Sequence, residues 1–221
     1  MFGTPHLVAL ALSVGAPLLL AAFARGQDRL VRFSLAGFLA IGWICWYILF
    51  AQRGWLTLGN ALPLNLCDWA CLALIAALLT RHQFLYELGY FWGLGGTLQG
   101  LLTPDIAYDW PDAQFLFFFV EHGGIIAALL YLTLGSGLRP RAAGLPRVIG
   151  ATLGYAAVAG LADWALGTDY GFLRAKPPGT NLLTFMSPWP WYIPELIAAG
   201  IAFLMLYYLP FAMIDWSRRR T

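Results

Sequence analysis

The apolar residues of this chain fall into long runs, and the few charged residues stand between them like fence posts. A helix that crosses the hydrocarbon of a bilayer needs about 20 mostly apolar residues. Seven segments fit between the posts: His6 to Phe23, Phe33 to Ala51, Pro63 to Thr80, Tyr86 to Thr103, Gln114 to Leu134, Arg147 to Leu166 and Trp189 to Met213. The pattern predicts an all-α fold, a polytopic membrane bundle of seven transmembrane helices forming a single domain over residues 1–221. No Lys or Arg precedes the first run, and Arg25 follows it, so it reads as a retained helix and not as a secretory signal.

Composition removes the soluble alternatives. Of 221 residues 60% are hydrophobic and 11% charged, with 10 Trp, 10 Tyr and 15 Phe, whereas a soluble domain carries about a quarter of its residues charged. A net charge of +2, with no basic run longer than Arg218 to Arg220, argues against a nucleic-acid partner. Lys and Arg accumulate on the cytoplasmic side of a membrane. Alternating the loops gives one side Arg25, Arg29, Arg32, Arg81, Arg139, Arg141, Arg147, Arg218, Arg219 and Arg220, and leaves Arg53, Arg174 and Lys176 on the other. This division places the N-terminus outside and the C-terminus in the cytoplasm. The bias of Arg over Lys, with abundant Ala, Gly and Leu, points to a bacterial cytoplasmic membrane.

Two outer connections then stand out. Residues 103–112 are acidic and aromatic with Pro104 and Pro111, and residues 167–188 form a long loop with Pro177, Pro178, Pro188, Arg174 and Lys176. A long loop without periodicity is usually functional, although its aromatic residues also suit an interfacial belt. Because the loop bears Asp169 and Tyr170 and joins the sixth and seventh helices, it is expected to cover a cavity mouth, with Arg174, Lys176 and Tyr170 holding a lipid headgroup.

An ionisable group inside a helix costs roughly 3 kcal/mol on insertion scales and is a functional candidate by default. Asp68, Glu121, His122, Asp163 and Glu195, together with the amide of Gln99, all fall toward the outer side, whereas Glu87 at a border is nearly alone on the other. The expectation is a water-accessible cavity open to the outer leaflet. The alternative is interhelical bridging, worth only about 0.6 kcal/mol per hydrogen bond on average in membranes. No internal repeat supports an inverted-repeat transporter.

All three cysteines lie within predicted helices, so no disulfide framework is implied. Cys45, among Trp43, Trp46 and Tyr47, reads as a core residue. Cys67 lies about one turn from a helix start near Asn60 to Pro63, where unpaired amides and the helix dipole favour a thiolate, although Asp68 beside it acts the other way. His122 is the histidine at a matching depth, because His6 is terminal and His82 sits in a turn beside Arg81. Counted from the helix ends at 1.5 Å per residue, Cys67 is about 6 Å and His122 about 12 Å deep. Gly123 and Gly124 let a neighbouring helix or an acyl chain approach. Cys67, Cys71, His122 and Asp68 are a candidate zinc set, but neither a CxxC nor an HExxH motif accompanies them. Lys176 is the only lysine and lies in a loop, which excludes a retinal Schiff base within the helices.

Several stretches together resemble one family. They are Leu62-Pro-Leu-Asn-Leu-Cys-Asp-Trp69, Phe91-Trp-Gly-Leu-Gly-Gly-Thr-Leu-Gln-Gly-Leu-Leu-Thr-Pro-Asp105, Phe117-Phe-Phe-Val-Glu-His-Gly123, Lys176-Pro177 and Pro188-Trp-Pro-Trp-Tyr192. The chain resembles the YwaF-type bacterial integral membrane proteins, relatives of the eukaryotic transmembrane protein 164. The resemblance implies seven membrane helices and a phospholipid acyltransferase working through a cysteine and a histidine, roles that carry over to Cys67 and His122. The family commonly has His where this chain has Asn65, so an acid-base role at that position is in doubt, because an amide accepts no proton at neutral pH. The implied reaction has Cys67, deprotonated by His122, hold a fatty acyl group from a phospholipid as a thioester, with Gln99 or Asn65 donating to the oxyanion. No cofactor is implied, and the partners are membrane lipids. With water as acceptor the same site is a lipid hydrolase; a lipid- or ion-binding transporter with a proton relay is the other class.

Overall fold

A computed structural model describes residues 3–23 and 26–218, and no strand occurs among them. Seven helical rods follow one another. Helix α1 is Thr4–Phe23, α2 Asp28–Gln52 and α3 Leu66–Thr80. Helix α4 begins as Gln83–Trp92, passes through a π-helical turn at Gly93–Thr97 and ends as Leu98–Leu102. Helix α5 is Ala113–Leu130 with a π-helical end at Tyr131–Gly135, α6 is Leu145–Leu166 and α7 is Tyr192–Arg218. Five of them (α1, α2, α5, α6 and α7) are long and apolar enough to cross a membrane, and α3 is apolar but has 15 residues. The protein is a multi-pass membrane protein.

The local sequence sets the ends. Helix α3 starts at Leu66 and not at Pro63 because Asn65, in extended backbone, is its cap. Pro146 stands in the first turn of α6, where its missing N–H costs nothing, and Gly167 closes that helix in the left-handed conformation with its N–H on the Asp163 carbonyl. Helix α7 begins at Tyr192, beyond Pro188 and Pro190, and not at Trp189.

Helix α5 is the centre of the bundle: 72% of its 18-residue apolar stretch is buried, against 6% for α7. In lipid, helices associate through close packing more than through the hydrophobic effect, so small residues mark the contacts. A Cβ added at Gly89 would lie 2.4 Å from Leu74 of α3, one at Gly93 2.6 Å from Leu129 of α5, and one at Gly123 2.6 Å from Ser13 of α1. These bare backbones let α3 close on α4, and α4 and α1 close on α5.

The connections sort to two ends. At one end Asp28 pairs with Arg32 at 2.8 Å and Arg81 at 3.6 Å and accepts from Ser136. Buried Glu87 there binds Arg141 at 3.0 Å and Gln83 at 2.8 Å, and Arg139 pairs with Asp215 at 2.7 Å. The other end carries the longer loops. Arg53 meets Asp112 at 2.9 Å, Trp55 stacks on Tyr108 at 5.0 Å, and His6 contacts the Leu101 carbonyl at 2.8 Å. Asp112 caps α5 through the Gln114 N–H, and that bond and the Arg53 guanidinium hold its carboxyl below the usual carboxylate range. Arg25, Arg219 and Arg220, three of the cations behind the orientation expectation, lie outside the described residues.

Candidate functional site

The segment before α3 is pegged in place, and the pegs decide where Cys67 stands. Tyr170 donates its hydroxyl to the Leu58 carbonyl at 2.5 Å and accepts the Leu62 N–H at 3.0 Å. Tyr155 donates to the Leu64 carbonyl at 3.0 Å, and the Trp69 indole to the Pro63 carbonyl at 2.9 Å. Asp68 Oδ2 reaches back to the Asn65 N–H at 3.0 Å, the carboxylate half of a capping box, while its Oδ1 accepts the Trp43 indole of α2 at 3.1 Å. Cys67 follows as the second residue of the helix, half-buried, in the turn whose amides have no intrahelical partner. That is nearer the helix start than a helix from Pro63 provides.

Glu121 and His122 are neighbours on α5. His122, 8% exposed, stacks on Phe118 with centroids 4.0 Å apart, and its Nδ1 lies 3.0 Å from the Phe118 carbonyl oxygen. A carbonyl only accepts, so Nδ1 carries the hydrogen and Nε2 is left as an acceptor. A Cβ at Gly100 of α4 would lie 3.6 Å from that Nε2, and one at Gly96 3.0 Å from Leu66 beside Cys67. The two contacts are one turn apart along α4, about 6 Å. Counting from helix ends makes His122 the deeper of the pair, whereas along α4 the His122 contact lies one turn nearer the long-loop end than the Leu66 contact. No hydrogen bond joins Cys67 to His122 among the described residues. Glu121 is 6% exposed. It makes no hydrogen bond among the described residues.

The remaining expected site residues are distributed otherwise. Gln99 is directed toward Tyr207 of α7. Asp163, 1% exposed, accepts the Thr168 hydroxyl and the Tyr170 N–H, each at 2.7 Å, and so builds the turn after α6. Glu195 is exposed and accepts the Ser187 hydroxyl and N–H at 2.5 and 2.9 Å. No hydrogen bond or ion pair joins any of these three to Cys67 among the described residues. Arg174 spends its guanidinium on the Asp163 and Thr168 carbonyls at 3.1 and 3.4 Å, and Lys176 lies 2.7 Å from the Met186 carbonyl and 5.5 Å from the Tyr192 ring centre. Tyr170 is fully buried with its hydroxyl doubly bonded, so it offers nothing to a headgroup. All three tie the 167–188 loop to the protein. The loop does stand over the segment that precedes Cys67, through Tyr170.

Sequence reasoning missed Trp43, Tyr155 and Gly100. The first two act on groups 25 and 91 residues away, and no local pattern announces that. Among the described residues no group of three or more His, Cys, Asp or Glu side chains gathers as metal ligands. A groove of about 820 Å³ opens between α1, α2 and α5, but its lining, from Val8 and Leu12 to Phe38, Phe119 and Gly123, is apolar and includes neither Cys67 nor His122.

No individually curated protein and no solved structure matches the chain. A family model does match, over residues 1–208, which takes in all the stretches that carry the resemblance and every candidate residue above. The chain belongs to the TMEM164 family.

Proposed function

We propose that the protein is a membrane-embedded acyltransferase that moves a fatty acyl group from or to a phospholipid through a thioester on Cys67, with His122 as a base. The observation that carries the reading is a half-buried thiol in the first turn of a pegged helix, with a buried imidazole on α5 whose Nε2 is unengaged and faces Gly100 of α4, the helix that also meets Leu66 beside Cys67. The Cys67 sulfur attacks the ester carbonyl, the C–S bond forms and the C–O bond breaks, and the thiol proton leaves with the lysophospholipid. An acceptor hydroxyl then attacks the thioester, gives its proton to His122 Nε2, and the imidazolium returns it to the departing thiolate. If water takes the acceptor's place, the same steps make a hydrolase.

The reading includes seven membrane crossings with the long-loop end outside, since that end keeps Arg53, Arg174 and Lys176 while Arg29, Arg32, Arg81, Arg139, Arg141 and Arg147 gather at the other. A bacterial cytoplasmic membrane is the setting. The test of the chemistry is acyl transfer in nanodiscs with an acyl-labelled phospholipid. Cys67→Ser and His122→Ala should each lower it at least about 100-fold without loss of folded protein, and Cys45→Ser should retain it within a few-fold. Wild-type turnover in Cys67→Ser rules out covalent thiol catalysis, and substrate-dependent proton flux that survives in that variant supports a transporter instead.

A further inference from the structure

Consecutive elements of a fold usually lie side by side, yet α6 and α7 hardly approach each other along their lengths among the described residues. Helix α4 stands behind both: its Trp92 indole donates to Thr152 of α6 at 2.9 Å and its Tyr90 hydroxyl to the Tyr207 carbonyl of α7 at 3.2 Å. Toward the Asp28 end both helices join the main core, α6 through Leu145 and Val148 and α7 through Leu204. Toward the long-loop end α6 turns to the segment around Cys67, where Tyr155 and Ala159 pack with Leu64, Leu66 and Trp69. The matching half of α7 joins neither cluster, and between Tyr192 and Leu204 none of its residues is buried. An opening is left there, with α4 as its back wall. Residues Tyr86 to Gly93 of α4 are all buried, but Leu94, Gly95 and Gly96 in the π-helical turn are half-exposed. A Cβ at Gly95, or at Gly200 of α7, would meet nothing within 4 Å, while one at Gly96 would stand 3.0 Å from Leu66 beside Cys67. The long loop bridges the top of this opening: Tyr192 donates to the Phe172 carbonyl at 2.6 Å, the Trp189 indole to the Leu173 carbonyl at 3.3 Å, and Arg174 to the Asp163 carbonyl at 3.1 Å.

We propose that a fatty acyl chain of a phospholipid enters sideways from the bilayer between α6 and α7, in the half nearer the long loops, and passes over the bare backbone of Gly95 and Gly96 to reach Cys67. The route rests on the reading of Cys67 as the residue that takes the acyl group. The surroundings select the occupant. In a multi-pass protein a gap between two apolar helices faces lipid hydrocarbon, and glycine backbone lets a chain lie close. The two cations of the bridging loop are spent on carbonyls, so nothing in the opening draws a charged headgroup inward. The bridge itself lies across the way in from the water, which leaves the side as the entrance. A π-helical turn often marks a functional stretch of helix, and here it carries the two glycines of the floor.

The experiment compares two alkylating reagents on purified protein in phosphatidylcholine nanodiscs: iodoacetamide, and an iodoacetamide that carries a hexadecyl chain. Mass spectrometry of chymotryptic peptides, cut at Trp69, separates Cys67 from Cys71. Gly95→Trp and Gly200→Trp fill the opening from opposite walls, and neither new side chain has a neighbour to displace at its Cβ. Each should slow alkylation of Cys67 by the long-chain reagent about 10-fold or more and change that by the small reagent less than about 2-fold. Leu161→Trp, at a position of α6 that is 65% exposed, should leave both rates within about 2-fold of wild type. Long-chain rates that stay at the wild-type value, or that fall no further than the small reagent's, overturn the route. So does a wild-type Cys67 that the long-chain reagent never reaches, the result expected if a helix of a second copy fills the opening. If Gly95→Trp does not fold, Gly200→Trp decides alone. Alkylation needs no acyl transfer, so a wild-type protein that transfers no acyl group yet keeps this selectivity refutes the acyltransferase reading and leaves the route standing.

Discussion

Single residues in this protein hold one another by bonds that span long stretches of chain. Tyr170 is the clearest case: its hydroxyl binds the Leu58 carbonyl and the Leu62 amide, 112 and 108 residues away, and its own N–H is held by Asp163. Tyr170→Phe keeps the ring and removes only the oxygen, so the Leu62 amide and the Leu58 carbonyl lose this partner. It should cost about 0.5–1.5 kcal/mol in stability, read as a lower denaturant midpoint in micelles with an unchanged m-value, and it should lower acyl transfer by loosening the segment before Cys67. An unchanged midpoint would mean that this hydroxyl is not a peg. At this scale the sequence singles out Cys67, His122 and Glu121 as candidates, because an ionisable or nucleophilic group in an apolar run is conspicuous. It did not disclose the work of Asp163, Glu195, Arg174 and Lys176, since their partners are backbone groups of loops, which carry no signature in side-chain chemistry.

Among the elements, α3 and α4 decide the site. The hydropathy runs locate both rods to within a few residues. They miss the start of α3, because a proline at 63 is a tempting helix opener while Asn65 is the residue that caps. They also pass over the π-helical turn at Gly93–Thr97, since glycine-rich backbone there is as apolar as the helix around it. The glycines of α4 serve close approach. Gly100 faces the Nε2 edge of His122 with 3.4 Å between the nearest ring atom and the place a Cβ would take, which is ordinary contact. Gly100→Ala should therefore keep most activity, whereas Gly100→Leu fills the space in front of the imidazole and should lower acyl transfer by at least about 10-fold, or roughly 1.4 kcal/mol in the barrier, with a smaller effect on the rate at which Cys67 is alkylated. Equal activity in the two variants would mean that the Gly100 side of His122 is not where the acceptor hydroxyl comes.

The whole molecule has a bundle centred on α5 and two ends of different character, one latched by Asp28, Glu87 and their arginines and the other covered by long aromatic loops. The all-helical class and the sorting of loops to alternate ends were legible in the charge pattern, because burying charge in lipid is costly enough to leave a plain record. If the long-loop end is outside, a membrane-impermeant thiol reagent applied to intact cells should reach Cys67, and labelling only from the cytoplasmic side would reverse the orientation. Central to this account is the covalent intermediate, and the intact mass of the purified protein after brief incubation with phospholipid tests it most directly. Wild-type protein should gain the mass of one fatty acyl group, released by hydroxylamine at neutral pH, localised to Cys67 and absent from Cys67→Ser. A protein that turns over phospholipid yet shows no adduct in wild type, and none in His122→Ala, where the second half-reaction is blocked and the thioester should accumulate, would contradict it.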